Sequence, residues 1–258
     1  MGGAIIRGLL SHQQIGLVAT DLDKVRVEAL NTKEWPDRVK WAENPEDVAA
    51  QSDVILLAVK PQHVVAVATA IKAKLGPEKL LVSIAAGLSI AHLSIAVKKA
   101  CQVVRVMPNL PALIGKGVFA LCFDCPELSE ARQKMVQGLF ELLGKVVVLP
   151  EDKFAAFTAV VGCGPAYACL FMEGMQNAAI TLGFNSAQAK ELVAATVEGT
   201  ALMALLEPEG FADLRTQVCS PAGTTIFAVN HLERTAVRGH VTDAVLEAYK
   251  RAVDMSGQ

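Results

Sequence analysis

Asp53-Val-Ile-Leu-Leu-Ala-Val-Lys-Pro61 is apolar at every position from Val54 to Val59 and then stops at a lysine and a proline. A strand with no polar alternation has both faces covered, the condition of a strand inside a parallel sheet flanked by helices. Working upstream, residues 45–51 read as a short helix that Asn44 is placed to cap, 39–41 as a short strand, 23–31 as a helix and 15–20 as a strand. Downstream the pattern repeats, with helices expected at 63–74, 90–99 and 127–143 and strands at 80–84, 102–107, 117–122 and 145–149. This alternation predicts an α/β fold of Rossmann type, a doubly wound and mostly parallel sheet with right-handed crossovers, over residues 1–150.

Residues 1–10, Met-Gly-Gly-Ala-Ile-Ile-Arg-Gly-Leu-Leu, read as the first helix of a dinucleotide-binding unit whose preceding strand and first two glycines are missing. In that motif a strand runs into Gly-x-Gly-x-x-Gly and then a helix whose N-terminus faces the pyrophosphate. Gly2 takes the place of the third glycine. Asp21 follows it by about 20 residues, where the motif has an acid for the adenosine ribose. The missing strand is expected centrally, between the strands at 15–20 and 53–59, which points to a mis-assigned start or an N-terminal truncation.

After Pro150 strand signals end. Apolar residues recur at helical spacing to residue 255, with Gly/Pro breaks at 162–165, 183, 208–210 and 221–223. Residues 151–258 are therefore expected to be all-helical. The stretch 192–206 is apolar almost all round, which suggests burial between subunits.

The chain has 258 residues, 52% hydrophobic, 19% charged and 5% aromatic, with a formal net charge of −2. These values exclude disorder and give no basic stripe or stacking platform for nucleic acid. The longest uncharged run, residues 80–97, reads as strand, turn and helix rather than a membrane span. No signal peptide is apparent, and a cytoplasmic protein is expected. Cys122 and Cys125 form a lone CxxC without a second pair or a nearby histidine, so the six cysteines are read as reduced thiols and no metal site is expected.

Ligand contacts in an open α/β sheet come from loops at the carboxyl ends of the strands. Three such loops stand out: Ala58-Val59-Lys60-Pro61, Ala85-Ala86-Gly87, where small residues let a flat ring lie against backbone, and the stiff segment Met107-Pro108-Asn109-Leu110-Pro111. Lys60 is equally readable as an exposed loop lysine, and Asn109 as a turn residue. In the helical part, Gln217-Val-Cys-Ser220-Pro-Ala-Gly223-Thr224-Thr225 combines hydroxyls with a bend that gathers backbone N–H groups. Alone it reads as a helix cap, Thr224 or Thr225 preceding a helix near Ile226. Behind a cofactor-type domain it reads as a loop for a small carboxylate. No Ser/His/Asp arrangement accompanies it.

These residues carry a resemblance to pyrroline-5-carboxylate reductases over essentially the whole chain. It rests on residues 58–61, 85–87, Arg105-Val-Met-Pro-Asn-Leu-Pro111, Gly162-Cys-Gly-Pro-Ala-Tyr167 and above all residues 220–225. The resemblance implies NADPH or NADH bound through Gly2, Asp21, Asn44, Ala58, Val59, Lys60, Pro61, Ala85, Ala86, Gly87, Met107 and Asn109. It implies a homodimer built by the helical domain and assembled in many members into a decamer. It also implies hydride transfer to the C=N carbon of 1-pyrroline-5-carboxylate. Thr225 would bond the ring nitrogen, and Ser220 with the Gly223–Thr224 backbone would hold the carboxylate. Gln217 and Glu151 would line the site. Ala222 replaces the family's second glycine, which matters if that position needs positive φ. Cys163 and Val161 replace serines. Leu22 after Asp21 leans toward NADH, whereas Lys24 and Arg26 leave NADPH open. Two other readings are a related hydroxyacid or imine oxidoreductase, disfavoured because Lys153, Lys190 and Lys250 are not placed as a catalytic lysine, and a dimerising remnant without cofactor.

Overall fold

The computed structural model describes residues 1–256. Two compact units divide it. The first is Met1–Cys163 with the chain from Ala248 onward, and the second is Gly164–Glu247.

In the first unit the elements run α1 (Gly2–Leu9), β1 (Leu17–Ala19), α2 (Lys24–Glu28), β2 (Val39–Trp41), α3 (Pro45–Gln51), β3 (Val54–Leu57), α4 (Pro61–Ile71), β4 (Leu80–Ser83), α5 (Ile90–Ala96), β5 (Gln102–Met107), β6 (Gly117–Cys122), α6 (Glu130–Glu141), β7 (Gly144–Val148) and α7 (Phe154–Phe157). Strands β3-β4-β5-β6-β7 form one sheet, parallel except for the antiparallel β5–β6 pair. Strands β1 and β2 pair in parallel as a separate sheet. No ladder joins β1 to β3, so the break falls where the sequence expects a further strand.

Successive residues of the buried strands serve opposite faces, as strand geometry requires. Leu81, Val103 and Ala120 pack with Val64, Ala68 and Leu93 from α4 and α5, and with Phe154 and Phe157. Val82, Val104 and Leu121 pack with Ile5 and Leu9 of α1 and with Val136 and Phe140 of α6. Helices cover both faces, the doubly wound arrangement. A smaller cluster of Leu10, Val27, Leu30 and Val39 holds α2 against β2.

The strands end near residue 150 as expected, but the compact division falls later, after Cys163. The cause is Phe154 and Phe157, which are buried in the sheet's own core and tie the start of the helical region to it. The sequence also overextends α2, expected to reach residue 31. The Asn31 side chain instead bonds Val39 on both its amide and carbonyl sides, at 3.0 and 2.8 Å, and turns the chain into β2.

The second unit holds α8 (Gly164–Thr181), α9 (Ser186–Leu206), α10 (Phe211–Gln217) and α11 (Thr224–Arg234), and α12 (Val237–Ser256) begins in it. Few of its side chains are buried. Leu170, Phe171, Leu182, Leu192, Leu205, Leu206 and Phe227 are all exposed. The uncharged run 80–97 splits into β4, a turn and α5, as expected. By length and composition one helical stretch among the described residues, Glu151–Thr181, is apolar enough to cross a membrane.

Candidate active site

The carboxyl ends of β1, β3, β4 and β5 carry Asp21, residues 58–61, residues 85–87 and residues 107–109, all in the first unit. Ala58, Val59 and Lys60 are exposed. Lys60 is the N-cap of α4 and contributes no side-chain cap; Pro61 has no N–H and the His63 N–H donates to the Lys60 carbonyl at 2.9 Å, which leaves the Gln62 N–H without a side-chain acceptor. Gly87 has φ +79°, and a Cβ there would stand 3.0 Å from the Met255 carbonyl oxygen. At Gly2 a Cβ would approach that of Ala58 to 2.8 Å, so α1 and the end of β3 meet closely only because the residue is glycine. Small residues at these strand ends let a flat ring and a dinucleotide lie close to backbone.

Two of the expected cofactor residues are engaged by the protein itself. The Asn44 carbonyl accepts the Asp47 N–H at 2.8 Å and its amide reaches the Asp47 carboxylate at 2.9 Å, so the side chain is the cap of α3. Asn109 is buried. Its Oδ1 accepts the Val118 N–H at 2.9 Å and its Nδ2 donates to the Val161 carbonyl at 3.3 Å. It fixes the loop after β5 rather than presenting a free amide.

Sequence reasoning gave Arg105 no role. It is 5% exposed, donates to Glu151 Oε1 at 3.0 Å and lies over the Phe154 ring at 4.7 Å. The same oxygen accepts the Ile90 N–H at 2.8 Å. Glu151 thus joins β5 to the start of α5, directly after the 85–87 turn. A charge inside the apolar strand Val-Val-Arg-Val-Met was the available signal. Glu151 also lines a cavity of about 270 Å³ with Gly87, Arg105, Phe154, Arg251 and Met255.

The 217–225 loop lies in the second unit. Gln217 ends α10 and is exposed; Ser220 and Thr224 are exposed and Thr225 is half-buried. Ser220 C=O accepts the Gly223 N–H at 3.0 Å, and a Cβ on Gly223 would collide with Ser220 Oγ. Ala222 has φ +57°, so this position does demand the left-handed conformation. Helix α11 begins at Thr224, with Gly223 as an N-cap that supplies no side-chain acceptor. The capping reading of Thr224 and Thr225 is therefore corrected: both hydroxyls lie inside the helix's first turn and neither caps it. An uncapped helix N-terminus flanked by hydroxyls can hold a carboxylate and one further polar atom.

Among the described residues no cluster of three His, Cys, Asp or Glu is suited to a metal. Burial pushes the Cys122 thiol up to about 12 and that of Cys101 up to about 11, which makes both unreactive.

Comparison with known proteins agrees with this geometry. A pyrroline-5-carboxylate reductase dimerisation family matches residues 151–255, and an NADP oxidoreductase, coenzyme F420-dependent family matches residues 1–87. The pyrroline-5-carboxylate reductase of Escherichia coli is 33% identical over 256 residues, 99% of this chain and 93% of that protein. The crystal structure of the Plasmodium falciparum pyrroline carboxylate reductase, with NADP bound, superposes with a TM-score of 0.87 at 29% identity, covering 99% of this chain and 94% of that one. The Coxiella burnetii enzyme gives 0.88 at 28% identity, with the same coverage. The chain belongs to the pyrroline-5-carboxylate reductase family.

Proposed function

We propose that the protein reduces 1-pyrroline-5-carboxylate to L-proline at the expense of NADPH or NADH. Family membership supports the reaction, and the observation that carries it locally is the uncapped N-terminus of α11 beside the free hydroxyls of Thr224 and Thr225. The nicotinamide dinucleotide supplies the hydride. The Ser220 hydroxyl and the Thr224 N–H at the start of α11 hold the substrate carboxylate, while the Gly223 N–H closes the preceding turn on the Ser220 carbonyl. Thr225 bonds the ring nitrogen, and Gln217 lines the loop. A protonated imine is already electrophilic and becomes an amine on gaining a hydride at carbon, so positioning and exclusion of water do the work without a nucleophile. Glu151 contributes by holding the 85–87 turn.

Residues 1–150 carry the cofactor and 151–258 the substrate loop and the dimer contacts. The exposed apolar side chains of α8 and α9 suit a second copy of the chain better than lipid, and five such dimers form a decamer. Six free cysteines fit the reducing cytoplasm. The test is Thr225→Val. Turnover with pyrroline-5-carboxylate is expected to fall about 100-fold, as on loss of one well-placed hydrogen-bonding group, with the assembly unchanged in sedimentation. Wild-type turnover would remove Thr225 from the mechanism.

A further inference from the structure

Building on the reading of this chain as a dinucleotide-dependent reductase, we propose that its ribose pocket selects a dinucleotide with a free 2′-hydroxyl, NADH, over the 2′-phosphorylated form. The residues in question follow β1, where Thr20-Asp21-Leu22-Asp23 leads into α2. In a parallel α/β unit this is where an acid bonds the ribose hydroxyls or a cation accommodates the phosphate.

Asp21 is exposed, and one of its oxygens, Oδ1, accepts the Asp23 N–H at 3.0 Å. That bond orients the carboxylate and leaves Oδ2 as an acceptor. An ionised carboxylate only accepts hydrogen bonds, so it suits a hydroxyl and repels a phosphate that carries about two negative charges. Leu22, the next residue, is fully exposed and offers no donor.

Lys24 and Arg26 were the features that left a phosphate open, and both face acids. Arg26 Nε lies 3.4 Å from Asp23 Oδ2. Lys24 Nζ lies 3.4 Å from Glu28 Oε1 and 5.8 Å from the Trp41 ring centre. Strand β2, parallel to β1, ends beside it in Ala42-Glu43, so the same edge gains another carboxylate. Arg38 is held away by the carbonyls of Leu10, His12 and Ile15, which precede β1. Exposed pairs such as Lys24–Glu28 are individually weak. The discrimination therefore rests on Asp21.

The test is calorimetric binding of ADP-ribose and of its 2′-phosphate, probes without the reacting ring, to the wild-type chain and to a D21S/L22R variant. The wild type is expected to bind ADP-ribose at least about tenfold more tightly, the scale of one hydrogen bond to a charged group. The variant is expected to reverse the order. Equal or tighter binding of the phosphorylated probe by the wild type overturns the selectivity while leaving the reductase reading intact. If neither probe binds, the cofactor reading fails along with the selectivity. The wild-type comparison does not depend on the variant folding.

Discussion

Ala222 sits at φ +57°, a conformation in which its Cβ crowds the following carbonyl. Ala222→Gly is expected to stabilise the protein by up to about 1 kcal/mol, the left-handed penalty less the greater unfolded-state freedom of glycine, read as a higher denaturation midpoint. A lower midpoint would show that the loop is unstrained. Position 222 stood out only through the resemblance, as an alanine where the family has a second glycine; its φ was not legible from the residues themselves. The engagement of Asn44 and Asn109 was legible only in part. An Asn before Pro-Glu-Asp announces a cap, whereas the partners of Asn109, Val118 and Val161, are set by packing between distant segments.

Glu151 shows the same limit for whole elements. Its pair with Arg105 spans 46 positions, a separation that no local pattern encodes. Strand and helix order was readable from periodicity, because each buried strand is a short apolar run. The antiparallel direction of β6 was not, since the run 117–122 is the same in either direction. Removing one partner of a largely buried pair leaves the other charged and unsolvated. Glu151→Ala is therefore expected to cost about 3 kcal/mol and to loosen the start of α5, read by denaturation and by faster hydrogen exchange at Ile90. Unchanged stability would deny the pair its structural role. Cys122 at the end of β6 and Cys101 just before β5 supply a pH effect. Cys122, with a thiol pKa of about 12, and Cys101, at about 11, lie above the ordinary value of 9.0. Their contribution is intact below about pH 9, where the unfolded thiols begin to ionise, and is lost as pH rises through the folded values. Thermal stability should fall over that alkaline range, and Cys122→Ala should flatten the fall. An unaltered slope would place the effect elsewhere.

At the scale of the molecule, the two units differ in how complete they are alone. The first buries two cores, one on each face of its sheet. The second leaves Leu170 at 71% and Leu205 at 74% exposure, more apolar surface than a lone helical unit keeps. Leu170→Glu with Leu205→Glu is expected to shift the protein to monomer in sedimentation while the sheet unit stays folded by circular dichroism. Retention of the dimer would move the interface off these helices. The apolar girth of 192–206 could be read from the sequence, and so could the expectation that something covers it; the exposure of individual side chains could not. The reductase activity is tested most directly by the oxidation of NADH or NADPH on addition of pyrroline-5-carboxylate, followed together with the appearance of L-proline. Substrate-dependent oxidation matched mole for mole by proline is the expected result. No substrate-dependent oxidation with either cofactor would contradict it.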